Sequence, residues 1–113
     1  MVVQTRIDPD SRPPADVELA VYRIVQEALT NAQRHAHASV IVIGGAIGRR
    51  HVRVTITDDG RGIDRRSVAL AERAGRLGLA SMRERAAAIG AALTVSPAPG
   101  GSGTSISVEW SNQ

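Results

Sequence analysis

The chain has 113 residues, 42% of them hydrophobic, with Tyr22 and Trp110 as its aromatics, no cysteine and a formal net charge of +3. That is one domain with an aliphatic core; the missing thiols exclude a disulfide frame and thiolate catalysis and fit a reducing compartment. All fourteen basic residues are arginine, spread from Arg6 to Arg85 without interleaved aromatics, which argues against a nucleic-acid binder and, with no lysine, against a lysine-centred phosphate loop.

Residues 2–7 are short and β-prone, and Asp8-Pro9-Asp10-Ser11-Arg12-Pro13-Pro14 then breaks regular structure ahead of Asp16, a helix N-cap by its type and place. Val17, Val21, Ile24, Val25, Ala28, Leu29 and Ala32 recur at helical spacing and predict a long amphipathic helix to about Ala36. Residues 39–47 are rich in valine and isoleucine, and residues 48–51 read as a turn. Val52, Val54 and Ile56 alternate with Arg53, Thr55 and Thr57, so the two runs predict an antiparallel pair with one buried face.

Residues 58–77 carry five arginines and three glycines without periodicity, a length that compact domains reserve for functional loops and lids. A second helix is expected over residues 78–89, with Leu79, Met82, Ala86 and Ile89 on its apolar side and Gly90 as its stop. Residues 93–95 and the alternating Thr104, Ile106 and Val108 read as two more strands, joined by a turn rich in glycine and proline. Together these predict an α/β sandwich of two layers, a mixed, mainly antiparallel sheet with helices over one face. No apolar run reaches the roughly 18 residues that would cross a bilayer, and no signal-peptide layout opens the chain, so a soluble, cytoplasmic segment is expected.

Four groups of residues carry chemistry. Glu27, Asn31 and His35 stack along one stripe of the first helix. An asparagine amide oxygen is a hard, neutral ligand suited to magnesium, and a carboxylate one turn earlier can orient or deprotonate an attacking group. Taken alone, the stripe reads more readily as solvated surface, with Asn31 a solvated helix residue and Glu27 a surface acid. Asp58-Asp59-Gly60-Arg61-Gly62 ends a buried strand, where a carboxylate can accept from an exocyclic amine and glycines let a flat ring approach the backbone. Gly75-Arg76-Leu77-Gly78-Leu79 opens a helix whose free N–H groups can receive a phosphate. Gly101-Ser102-Gly103-Thr104 is also what a hairpin turn would show.

In this order the four resemble the N, G1 and G2 boxes and closing glycine-threonine of the GHKL ATPase superfamily. Tyr22-Arg23-Ile24-Val25-Gln26-Glu27-Ala28-Leu29-Thr30-Asn31-Ala32 and Met82-Arg83-Glu84-Arg85-Ala86 look like the catalytic ATP-binding domain of two-component sensor histidine kinases of the nitrate-sensor and desaturase-sensor type. The resemblance implies a Bergerat fold binding ATP and Mg2+, with residues 58–78 as the ATP lid region. It implies that Asn31 coordinates magnesium, that Glu27 assists the attacking group and that Asp58 binds the adenine amino group. Gly60, Gly62 and Ile63 would shape the adenine pocket, Gly78 and Leu79 would cap the phosphates, and Thr104 would reach adenine through a water near Asp58. His35 matches a histidine common in the family, though its place at a helix C-terminus is equally explained by capping.

Where the family carries a phosphoacceptor histidine followed by an acid, His35 and His37 precede alanines and His51 precedes valine. Residues 1–113 are therefore expected to be a single ATP-binding catalytic domain, monomeric in isolation and unable to phosphorylate itself. Its expected partners are ATP, the dimerisation and phosphoacceptor domain of a full-length kinase, and a response regulator; neither nucleic acid nor direct membrane contact is expected. Two alternatives are a serine kinase of the anti-sigma-factor type and a non-catalytic GHKL-like interaction module. Acid-stable phosphate would mark the first, and the absence of any heat on titration with ATP and magnesium the second.

Overall fold

The computed structural model describes residues 12–34, 40–60, 79–98 and 103–112. Within them lie α1 (Ala15–Arg34), β1 (Ile41–Ile47), β2 (His51–Asp58), α2 (Leu79–Ala88), β3 (Ala92–Pro97) and β4 (Thr104–Ser111). The strands form one sheet in the order β1-β2-β4-β3, and each described pairing is antiparallel. The β-prone residues 2–7, the proposed turn of α1 after Arg34 and the loop beyond Gly60 lie outside the described residues.

Alternation sorts the sheet into two faces. Val52, Val54 and Ile56 of β2 and Ile106, Val108 and Trp110 of β4 are buried with Ile41 of β1 under the helices. The other face carries hydroxyls that meet across strands, Thr55 with Ser107 at 3.3 Å and Thr57 with Ser105 at 3.2 Å. Helix α1 lays Val17, Val21, Ile24, Ala28 and Ala32 into the core, and α2 adds Leu79, Met82 and Ala86. The core is the single layer between sheet and helices, as the aliphatic composition requires.

The helix ends follow from local chemistry. Helix α1 starts one residue before Asp16: the Glu18 N–H donates to the Pro14 carbonyl at 3.0 Å, so Pro14 occupies the capping position. Proline at a helix entry forgoes an N–H that has no partner there anyway, and Asp16 and Glu18 in the first turn complement the helix dipole instead of capping it. Helix α2 closes on Gly90, at φ +70°, in a Schellman motif: Ala91 N–H donates to Ala86 C=O at 2.8 Å and Gly90 N–H to Ala87 C=O at 3.1 Å.

Strands β3 and β4 run longer than the alternation alone indicates. β3 continues through Ser96 to Pro97, because an edge strand does not need the N–H that proline lacks. β4 continues through Trp110, which the register sets opposite Val52. No helix among the described residues is long and apolar enough to cross a membrane.

Candidate functional site

Register places the first two predicted site residues together. β2 and β4 pair with Thr57 opposite Ser105, and one further step sets Asp58 opposite Thr104. Both share the parity of the buried positions Ile56 and Ile106, so their side chains project from the helix-covered face at the margin of the core. Asp58 is partly exposed, and its Oδ1 accepts the Gly60 N–H at 2.9 Å in an Asx turn. That bond fixes the carboxylate plane and brings the Gly60 backbone against it.

Thr104 is 5% exposed, and its Oγ1 is a buried polar atom with no hydrogen-bond partner. Leaving a hydroxyl so costs roughly 1–3 kcal/mol, which is tolerable where a ligand or an ordered water completes it. Beside it Gly103 sits at φ +99°, and a Cβ there would overlap the Asp58 carbonyl oxygen, with the Asp58 carbonyl carbon at 2.8 Å and Asp59 Cα at 3.1 Å. The glycine lets the start of β4 close directly onto the end of β2. Sequence reading took Gly103 only as half of a glycine-threonine pair; its positive φ is a three-dimensional property that no periodicity reveals.

Helix α1 carries Glu27 and Asn31 in its second half. Pro13, Val21 and Val25, from the first and middle turns of the helix and its approach, line a cavity of about 330 Å³ with Ile43, Val52 and Val54 of β1 and β2. Beyond Val25 the helix continues for nine residues, about 14 Å at 1.5 Å per residue, to Arg34. Glu27 and Asn31 lie on this stretch, one turn apart and partly buried. The cavity is apolar, and none of Glu27, Asn31, Asp58 and Thr104 lines it.

Leu79 is 1% exposed at the first position of α2, so its side chain belongs to the core and leaves the helix-terminal backbone as the group able to meet a ligand. His35, Gly62, Ile63 and Gly78 lie outside the described residues. Among the described residues no group of three His, Cys, Asp or Glu could cage a metal ion. A single amide oxygen from Asn31 suits magnesium, which takes few protein ligands and completes its shell with water and phosphate oxygens.

Comparison with known proteins agrees with this geometry. The family model for the histidine kinase-, DNA gyrase B- and HSP90-like ATPases matches residues 16–113. Sensor histidine kinase YxjM of Bacillus subtilis (strain 168) is 41% identical over 83 residues, 74% of this chain and 19% of that protein. Sensor histidine kinase LiaS of the same organism is 39% identical over 93 residues, 82% of this chain and 24% of that protein. The chain therefore spans about a fifth to a quarter of the curated relatives' length.

Among solved structures, the blue-light-activated histidine kinase of Erythrobacter litoralis EL346 superposes with a TM-score of 0.70 at 30% identity, covering 96% of this chain and 34% of that one. The ATP-binding domain of PrrB from Mycobacterium tuberculosis, at 22% identity and a TM-score of 0.63 over 98% of this chain and 81% of that one, shares the fold. A matched model over nearly the whole chain, on a sheet that brings the expected carboxylate and threonine side by side, places the chain in the histidine kinase-, DNA gyrase B- and HSP90-like ATPase family, as an ATP-binding domain of the sensor-histidine-kinase kind.

Proposed function

We propose that this domain binds ATP with magnesium and, within its parent protein, supplies the γ-phosphoryl group to a histidine on a neighbouring dimerisation domain, for relay to a response regulator. The observation that carries the reading is the pairing of Asp58 with a buried, unpartnered Thr104 hydroxyl on the core face of adjacent strands. Adenine offers an amine donor and ring-nitrogen acceptors, and a carboxylate beside a hydroxyl-held water complements that edge.

The remaining roles are those the family resemblance implies. Asp58, its Oδ1 steadied by the Gly60 N–H, would accept from the adenine amine, and Gly60, Gly62 and Ile63 would shape the adenine pocket. Gly78 and Leu79 would cap the phosphates, with residues 58–78 as the lid region. His35 would be a further nucleotide contact. Asn31 would hold the magnesium ion, whose contribution when bound is to neutralise phosphate charge. Glu27, one turn before it, orients the attacking imidazole or takes its proton. Since phosphoryl transfer demands little covalent help, this chain's work is positioning and charge placement.

Two measurements test the proposal. Calorimetric titration with ATP should give saturable heat that depends on magnesium. Mixing the domain with a histidine-bearing helical hairpin of a related kinase and labelled ATP should give acid-labile phosphate on the hairpin. No heat would remove nucleotide binding, and acid-stable label would move the reaction to serine.

A further inference from the structure

Asp59, immediately after the adenine-facing carboxylate, has no part in the roles above, yet the way it pairs is unusual. The β1–β2 register sets Ile41 opposite Asp58, so one step further Val40 faces Asp59. At the other end of the ladder Gly48 N–H donates to His51 C=O at 2.9 Å, which makes the even positions of β1 the hydrogen-bonded ones. Val40 and Asp59 should then exchange two backbone bonds. They exchange one: Asp59 N–H donates to Val40 C=O at 3.2 Å, but Val40 N–H donates to the Asp59 carboxylate Oδ1 at 2.9 Å.

A side-chain oxygen thus replaces the main-chain carbonyl in the last rung. The strand stays closed to its tip while the chain turns away toward Gly60, whose N–H comes back to Asp58. On the opposite edge Gly103 packs against the same Asp58–Asp59 peptide. The backbone carrying Asp58 is therefore pinned from β1 by Asp59 and from β4 by glycine contact.

We propose that Asp59 is a positioning residue for nucleotide binding: its Oδ1, by holding the Val40 N–H, fixes the peptide from which Asp58 meets the adenine. The inference rests on the reading of Asp58 as the adenine contact. The role requires an oxygen acceptor at that place and not a negative charge, which separates it from any direct action of an exposed carboxylate on phosphate or metal.

The test compares wild type, D59N and D59A, titrated with ATP and magnesium well below the lowest melting temperature of the three, with melting followed separately. Asparagine keeps the acceptor, so D59N should bind ATP within about twofold of wild type, whereas D59A, losing one hydrogen bond's worth of order, should bind about three- to tenfold more weakly while fully folded. D59A binding like wild type while only its melting temperature falls would reduce Asp59 to a strand cap. D59N weakened as far as D59A would assign the effect to charge and overturn the proposal. Wild type that binds no ATP would instead sink the nucleotide reading, and this inference with it.

Discussion

Replacing Thr104 with valine should make the free domain more stable and a poorer ATP binder, a pair of opposite signs that core damage does not produce. The hydroxyl is buried on a strand position 5% exposed and no protein group partners it, so nothing in the protein offsets its desolvation. Valine has nearly the same shape and the same preference for a strand. Removing the unpaired group recovers part of a penalty of about 1–3 kcal/mol, and the added methyl contributes about 0.8 kcal/mol of burial. A net gain of roughly 1–2 kcal/mol in the free domain would raise the melting temperature by at least about 4 °C at this chain length. With ATP the hydroxyl's bond is lost, and a typical net hydrogen bond of about 1 kcal/mol corresponds to about fivefold weaker binding. Denaturant unfolding without nucleotide and calorimetry with ATP and magnesium read the two quantities separately. A variant that binds ATP as well as wild type would refute the assignment of Thr104 to the ligand, and one less stable in the free state would show that the hydroxyl is already satisfied there.

Three further substitutions probe the proposed site. Asp58→Asn retains an Oδ1 acceptor for Gly60 N–H, so unfolding should change by less than about 0.5 kcal/mol while ATP affinity falls about 10- to 100-fold, the worth of a hydrogen bond to a charged group; equal affinity by calorimetry would end its role at the adenine. Asn31→Asp should alter the magnesium dependence of ATP binding or lower phosphoryl transfer by about tenfold or more, because a charged ligand changes both the ion's shell and its neighbours; an unchanged magnesium titration at fixed ATP would remove Asn31 from the metal site. Gly103→Ala combines φ +99° with a Cβ driven into the Asp58 carbonyl, both backbone constraints, and should cost about 2–4 kcal/mol in urea unfolding. A cost under about 0.5 kcal/mol would show that β4 does not press on Asp58 as described.

How much of this was legible in the sequence depends on whether the information is periodic or relational. The apolar stripe of α1 and the alternation of β2 were readable because each element's buried face repeats along its own chain. Asp58 was readable as a carboxylate ending such a strand. The start of α1 lies two residues earlier than the Asp16 cap predicts, because Pro13-Pro14 reads as a breaker although proline suits a helix entry. β3 runs past its predicted end for the same reason: Pro97 is tolerated because β3 is the outer strand among the described residues, and strand order decides that.

The site's finer construction is relational throughout. By residue type the two carboxylates of the run Asp58-Asp59-Gly60 are alike, and only the spacing to Gly60 and Gly62 in the family box singles out Asp58. Register separates them. Asp58 has the parity of Ile56 and faces the helices, beside the Thr104 strand; Asp59 has the opposite parity, and its side chain reaches across to the Val40 N–H ahead of β1. A shift of one residue in the β1–β2 pairing would exchange these roles, carry Val52, Val54 and Ile56 out of the core and leave the hydroxyl face inside. The burial of three aliphatic side chains therefore decides which aspartate faces the helices, and the role proposed for Asp58 depends on hydrophobic residues of its own strand.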